Sequence, residues 1–281
     1  MNSPFYKLIA GTFEINGAQP DGDSVRFRPS NPNAFATFPR VRMRRNGTAQ
    51  LRFSCVDALE IHYPHGHQDP FLGSAARDRM LEMLGFNVNN ITWTNLTART
   101  EEVREGFILC KQIDRYGRPI AFVYAGKPNG AHDGQEVDPT KPGHAYSLQN
   151  SCNYRLLNEG HVYPTFYTSD PDDVVDVMKR AIPHPAPRNS TLGRDATNKT
   201  FDIEDFDTEV ILPKLFRRMA DWWATTNGQD AYDFVDWLKT KGGKVWERTA
   251  NDWHLFSDYI QVVDARRITT TLHLGDVEFE E

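Results

Sequence analysis

The chain has 281 residues and a net charge of −6, with 25% charged and 39% apolar residues. Its apolar runs are all short, which excludes a membrane span and predicts a globular protein of one or two domains. The N-terminus lacks the pattern of a signal peptide, and the 3 cysteines are too few and too widely spaced for a disulfide framework. We therefore expect a reducing compartment, with the cytoplasm favoured, and no membrane partner.

Five segments of the first half are predicted to be β-strands, from their strand-forming residues and, in Ser24–Arg28, from apolar alternation. They are Tyr6–Ile15, Ser24–Arg28, Ala49–Val56, Ile108–Ile113 and Ile120–Tyr124. A ribbon at Arg40–Arg44 would lead into the hairpin signal Asn46-Gly47, and the helix Gly73–Gly85 lies between the third and fourth strands. Five strands with a helix in this place are typical of an OB-type barrel.

Two further helices are predicted before residue 182, at Ser147–Glu159 and Asp170–Arg180. The polar, Pro- and Gly-rich segment Gly126–Gly143 is predicted to be a loop. The fold class of residues 1–182 is therefore α+β and mainly β, with a five-stranded OB-fold barrel and three helices.

The rest of the chain is predicted to be a linker followed by a small α+β extension. Pro183–Thr200 has linker composition, and residues 201–281 form an accessory region whose role the sequence does not indicate. Its predicted helices are Leu212–Trp223 and Ala231–Leu238, and its extended segments are Val245-Trp246, Ile260–Val263, Thr269–Leu274 and a terminal strand after Gly275-Asp276.

The positive charge is concentrated between Ser24 and Val56, where no Asp, Glu or Lys occurs. The arginines of this segment are Arg26, Arg28, Arg40, Arg42, Arg44, Arg45 and Arg52. The overall charge argues against a nucleic-acid partner, whereas this local basic segment favours one. A solvated hairpin with arginines on its open face explains the same pattern.

Four carboxylates and one arginine form a candidate centre. Asp21 and Asp23 would share one face of a strand and could bind one cation, although Asp-Gly-Asp is also a common turn. Asp57 and Glu60 are one turn apart, or else cap a helix. Arg52 and Asp57 lie on opposite faces of a regular strand, so they can face one site only through a bulge or an early strand end.

A turn motif joins the fourth and fifth strands. It reads Asp114-Arg115-Tyr116-Gly117-Arg118, and Gly117 can supply a positive φ. A planar guanidinium at the rim of a barrel suits bidentate contact with phosphate. A plain hairpin turn with a charged pair is the structural alternative.

The order of these motifs resembles the staphylococcal nuclease family, the thermonucleases, over about residues 6–180. The matching stretches are Asp21-Gly22-Asp23, then Arg52 with Asp57 and Glu60, then Asp114-x-Tyr116-Gly117-Arg118. The resemblance implies an OB barrel with three helices. It also implies a calcium-dependent phosphodiesterase that acts on DNA and RNA and leaves 3′-phosphate ends.

The resemblance also implies a role for each matched residue. Asp23, Asp57 and the main-chain carbonyl of Ala58 would bind Ca²⁺, with Asp21 nearby or in the outer shell. Glu60 would act as general base or position the attacking water. The guanidiniums that hold the phosphate would be Arg52 and Arg118.

Substrate contacts are predicted on both sides of this centre. The nucleotide pocket would be lined by Tyr116 with Arg115, and by aromatic residues drawn from Tyr163, Phe166 and Tyr167. The nucleic-acid backbone would be contacted by Arg40, Arg42, Arg44 and Arg45.

Two other functions fit parts of the sequence. A non-catalytic OB-fold module could bind nucleic acid, since many OB folds only bind. A scaffold could act through the acidic, tryptophan-rich region 201–281. The motif His62-x-x-His65-x-His67 could bind a transition metal, but a solvated loop is the simpler interpretation.

Overall fold

The structure, a computed structural model, describes residues 4–228 and 230–280. The strands are β1 (Tyr6–Glu14), β2 (Arg26–Pro29), β3 (Ala49–Gln50), β4 (Arg52–Phe53), β5 (Val56–Asp57), β6 (Thr92–Thr94), β7 (Thr97–Arg99), β8 (Val103–Ile113), β9 (Pro119–Ala125), β10 (Glu136–Val137), β11 (Tyr163–Pro164), β12 (Phe166–Tyr167), β13 (Phe201–Asp202), β14 (Lys244–Glu247), β15 (Asp252–Leu255), β16 (Ile260–Val262), β17 (Arg267–Thr270) and β18 (Val277–Phe279). The helices are α1 (Pro70–Met83), α2 (Cys152–Asn158), α3 (Asp172–Lys179), α4 (Thr191–Arg194), α5 (Pro213–Thr226) and α6 (Ala231–Lys241). None of the helices in these ranges has the length and apolar character that a bilayer crossing requires.

The first half of the chain forms a nearly closed, barrel-like sheet. Its strand order is β3-β2-β1-β8-β9-β4, and β10 also pairs with β1. The strands β3 and β4 stand at opposite ends of this order, yet Leu51 alone separates them in the chain. The sheet must therefore curl until its two edges meet. Fully buried aromatic side chains fill its interior, including Phe13, Phe107 and Phe122.

The sheet has seven strands where five were predicted. The predicted third strand, Ala49–Val56, is divided among β3, β4 and β5, which pair with β2, β9 and β11 respectively. The predicted loop Gly126–Gly143 contains β10. The predicted ribbon at Arg40–Arg44 is reduced to a single bridge between Met43 and Ala49.

Helix α1 starts earlier than the sequence indicated. The predicted helix began at Gly73, but the Asp69 side chain accepts hydrogen bonds from the amides of Phe71 and Leu72, and Pro70 takes the first helical position. A proline there loses no hydrogen bond and has the helical φ, so Asp69-Pro70 is the stronger start signal.

The C-terminal region packs directly on the barrel. The segment Pro183–Thr200 is not a free linker, because it contains α4 and buries Thr191 and Thr197 completely. Strand β18 pairs in parallel with β12, so the end of the chain is hydrogen-bonded to a strand that precedes residue 183. A second apolar core joins Leu59 and Leu72 to side chains of residues 201–279. The accessory region therefore contacts the segment that bears Glu60.

Candidate active site

The turn Asp21-Gly22-Asp23 packs against the residue that follows β5. A Cβ atom at Gly22 would lie 2.8 Å from the Cβ of Ala58 and 2.8 Å from the Cβ of Ala76 in α1. Only glycine permits so close an approach. The contact brings both carboxylates of the turn to the end of β5.

The chain changes direction between Arg52 and Asp57. Cys55, between β4 and β5, has a φ of 64°, which a residue with a side chain rarely adopts. As a result Arg52 Nη2 donates to Asp57 Oδ1 at 2.8 Å, and Arg52 Nη1 lies 3.4 Å from Asp23 Oδ2. The expectation that the strand ends before Asp57 is confirmed, and strain at Cys55 accompanies the arrangement.

Arg217, in α5, is a residue of this centre that the sequence did not reveal. Its Nη2 donates to Asp57 Oδ2 at 2.7 Å, and its Nη1 donates to Asp57 Oδ1 at 3.2 Å and to Glu60 Oε1 at 2.6 Å. One guanidinium thus bridges two of the predicted catalytic carboxylates. Arg217 and Asp57 are 160 residues apart in the chain, so no local motif could have indicated the contact.

Asp57 is compensated by two arginines. Its side chain is 1% exposed, and although burial would raise its pKa, Arg217 and Arg52 lower the pKa of Asp57 well below the usual range. Burial raises the pKa of Glu60 even though Arg217 opposes the effect. Asp57 is therefore a firmly ionised anchor, whereas Glu60 is a stronger base than an exposed glutamate.

Asp21 and Asp23 form the less compensated part of the centre. Burial raises the pKa of both carboxyls, and although Arg52 lowers the pKa of Asp23, the charge of Asp21 raises it again. Asp23 Oδ2 is buried and has no hydrogen-bond partner among the described residues. A cation placed beside this pair would stabilise both charges, so these are the oxygens best suited to bind a hard metal ion.

A polar cavity of about 480 Å³ opens beside Asp21. Its lining includes Arg26, Arg44, Arg118 and His62, and His62 Nε2 lies 3.9 Å from Asp21 Oδ2. Because three guanidiniums and one carboxylate line this cavity, its net charge is positive, as the binding of a phosphate requires. Arg118 and Asp21, one carboxylate of the acidic centre, therefore line the same cavity.

The turn that carries Arg118 is organised by Asp114. The Asp114 carboxylate accepts hydrogen bonds from the amides of Tyr116 and Arg118 and from Arg118 Nε, the last at 2.6 Å. Gly117 has a φ of 83°, and its carbonyl accepts from the Arg42 amide at 2.8 Å. The predicted hairpin is confirmed, and it packs against the arginine-rich segment.

The predicted pocket aromatics separate into two groups. Tyr163 and Phe166 are fully buried, and Tyr163 Oη donates to Asp195 at 2.8 Å, so the prediction that these two contact substrate is wrong. Tyr163 is buried in the second core, which side chains of the C-terminal region complete, and Phe166 is buried in the first core. Tyr167 remains partly exposed near the centre, with Lys214 Nζ 5.2 Å from its ring. Burial, followed by Arg217, lowers the pKa of Lys214 to about 7.

The remaining predicted contacts lie on the surface. Tyr116 is 59% exposed and accepts a hydrogen bond from Arg115 Nη2 at 2.7 Å. Arg40, Arg42 and Arg45 are exposed but lie outside the cavity lining, which Arg44 joins. Of the four arginines that were predicted to contact the nucleic-acid backbone, one therefore lines the cavity and three lie on the exposed surface outside it.

Gln68 is a second residue that the sequence did not reveal. Gln68 is fully buried. Its side-chain Oε1 accepts a hydrogen bond from the main-chain amide of Glu60 at 3.1 Å, and its main-chain amide donates to the Glu60 carbonyl at 2.7 Å. Its Nε2 donates to the Ile211 carbonyl at 2.7 Å. The backbone of Glu60 is thereby held against the segment that precedes α5.

Comparisons of the chain with protein-family models and with curated proteins found no match. The resemblance to staphylococcal nuclease accordingly depends on the three motifs and on the positions of their residues around one opening.

Proposed function

We propose that this protein is a nuclease, a phosphodiester hydrolase that acts on DNA or RNA, built on an OB-like barrel and dependent on Ca²⁺. Its products would carry 3′-phosphates, as the family resemblance implies. The observation that supports this best is the convergence of Arg52 with Asp23 and Asp57, at 3.4 and 2.8 Å, next to a cavity lined by Arg118. A module that only binds nucleic acid gains nothing from carboxylates that face phosphate.

The proposed chemistry divides between a base and two cations. Glu60, whose pKa burial raises, would accept a proton from the attacking water or position that water. Arg52 and Arg118 would stabilise the charge that develops on the phosphoryl oxygens. Arg118 is held by Asp114, so its guanidinium needs little reorganisation to receive a phosphate.

The predicted calcium ligands fit the ion only in part. Asp21 and Asp23 present oxygens, including the unpartnered Asp23 Oδ2. Asp57 does not fit, because both of its oxygens accept hydrogen bonds from guanidiniums. Among residues 4–228 and 230–280, no group of three or more His, Cys, Asp or Glu side chains is placed to hold a metal. The full ligand set would require Arg217 to release Asp57.

A cleavage assay tests the proposal. Single- and double-stranded DNA and RNA should be cut in millimolar Ca²⁺, and chelation should abolish cleavage, because the candidate ligands are hard oxygens. Full activity in chelator would exclude the calcium requirement. Binding without cleavage under every cation condition would favour the non-catalytic module.

The arginine face should bind phosphates of the nucleic-acid backbone. Replacing Arg42, Arg44 and Arg45 by Ala is expected to weaken DNA binding and to lower the slope of log K against log salt by about 0.9 for each phosphate that is no longer neutralised. Arg28→Ala is the matched control, because Arg28 Nη2 is already held by Glu14 at 2.9 Å. Binding isotherms at several salt concentrations measure the slope. A slope that the triple variant leaves unchanged would mean that this face is merely solvated.

A further inference from the structure

Arg217 occupies the space between Asp57 and Glu60. Its two terminal nitrogens make three hydrogen bonds to these carboxylates, at 2.6 to 3.2 Å. With Arg52 on the other side, each Asp57 oxygen already accepts at least one hydrogen bond from a guanidinium. A cation at the Asp57 carboxylate would therefore lie against at least one guanidinium and compete with it for the same oxygens.

We propose that Arg217 is an internal competitor for the divalent cation, and thereby sets the cation affinity of the site. In the metal-free protein its guanidinium binds Asp57 and Glu60. When the cation binds Asp57, the Arg217 side chain withdraws toward solvent. The inference rests on the proposed function for the nature of the cation, a hard divalent ion.

The charges of the centre support competition. Two of the four carboxylates, Asp57 and Glu60, are hydrogen-bonded to Arg217. Asp23 has a longer contact, 3.4 Å, between its Oδ2 and Arg52 Nη1, and among the described residues this oxygen accepts no hydrogen bond. A divalent ion that bridged from Asp23 to Asp57 would lie beside the guanidinium of Arg217. Two positive charges side by side repel strongly in a poorly hydrated site, so the divalent ion and the Arg217 guanidinium exclude each other.

The packing of α5 allows the side chain to move while the helix stays in place. Leu215, Phe216 and Met219 are fully buried and anchor the helix in the second core. The Arg217 side chain is 21% exposed, so a path to solvent exists. Its hydrogen bonds to side chains among the described residues all go to Asp57 and Glu60.

Calorimetric titration of the full-length chain with CaCl₂, without nucleic acid, tests the competition. Arg217→Gln removes the charge and keeps a polar side chain of similar reach, so it should bind Ca²⁺ about tenfold or more tightly than the unmodified protein, a factor typical of coupling between two ligands. Arg217→Lys keeps the charge without the planar fork and should fall between the two. Arg218→Gln, the neighbouring position on α5, should bind Ca²⁺ as the unmodified protein does.

Thermal melts of the same proteins give a second measurement. In chelator, Arg217→Gln should melt below the unmodified protein, because Asp57 loses a partner. Ca²⁺ should raise its melting temperature by more than it raises that of the unmodified protein. If Arg217→Gln is too unstable to purify, the calorimetric titration and the thermal melts are made with Arg217→Lys instead.

The outcomes separate this inference from the proposed function. Equal or weaker Ca²⁺ binding by Arg217→Gln overturns the competition while leaving the nuclease proposal intact. No Ca²⁺ binding by any of these proteins overturns both the competition and the calcium requirement. Tighter Ca²⁺ binding by Arg217→Gln supports the competition. If the unmodified protein at the same time shows no cleavage activity, the result argues against the nuclease proposal.

Discussion

Arg52→Ala and Glu60→Ala are expected to lower kcat by about 10²–10³, equivalent to about 2.7–4 kcal/mol of transition-state stabilisation, and to change nucleic-acid binding much less. Arg52 would stabilise the negative charge on the phosphoryl oxygens, and this charge is greatest in the transition state. Glu60 would act on the attacking water only during the reaction. Arg118→Lys should also be poorly tolerated, because an ammonium cannot reproduce the two parallel hydrogen bonds of a guanidinium.

Single-turnover cleavage, measured beside equilibrium binding for each variant, separates catalysis from affinity. Arg180→Ala, an exposed position at the end of α3, is the control and should keep full activity. A thermal melt is needed for Arg52→Ala in particular, since Arg52 is also a partner of Asp57. A loss of binding as large as the loss of rate would mean that these side chains hold the substrate without promoting its cleavage.

Asp57→Asn is expected to destabilise the metal-free protein by about 3–5 kcal/mol, the usual cost of removing one partner from a buried ion pair. Asp57 is 1% exposed and lies between Arg52 and Arg217, so neutralising it removes the carboxylate that both guanidiniums share and leaves one carboxylate beside each of them. Asp21→Asn is the matched control. Burial raises the pKa of Asp21, so removing its charge should be neutral or stabilising in chelator.

The two variants should also respond oppositely to pH. The folded-state pKa of Asp57 is lowered, so its stabilisation is present above the unfolded value of about 3.9 and is lost as the pH falls through the lower folded value. The folded-state pKa of Asp21 is raised, so its unfavourable contribution appears as the pH rises above the unfolded value. Urea denaturation at neutral and acid pH measures both effects. Equal destabilisation by the two substitutions would show that both carboxylates are held by favourable partners.

Local sequence patterns predicted the structure correctly where the conformation of a segment depends mainly on its own residues. The long strands β1, β8 and β9 were predicted because each contains a run rich in strand-forming apolar and aromatic residues, which favour a strand wherever it lies in the chain. The turn at Asp114 was predicted because a glycine with positive φ and a carboxylate acceptor lie within five residues. The need for a break between Arg52 and Asp57 followed from strand geometry alone.

Local patterns failed where another part of the chain decides what a residue faces. Tyr163 is an aromatic residue of the kind that lines nucleotide pockets, yet it is fully buried in a core with side chains of residues 201–279. The segment 183–200 has linker composition, but the cost of ordering it is offset by burial against both cores. Burial of this kind depends on a partner surface that a window of sequence does not contain.

The sequence by itself determined which carboxylates and arginines could form a centre, because their spacing on strands and turns limits where they can point. Only the tertiary structure decided how their charges are balanced. Arg217 reaches Asp57 across 160 residues of chain, and it does so because the second core fixes α5 beside β5. Electrostatic attraction weakens as the distance between two charges in space increases, and the spacing of residues in the sequence does not encode that distance.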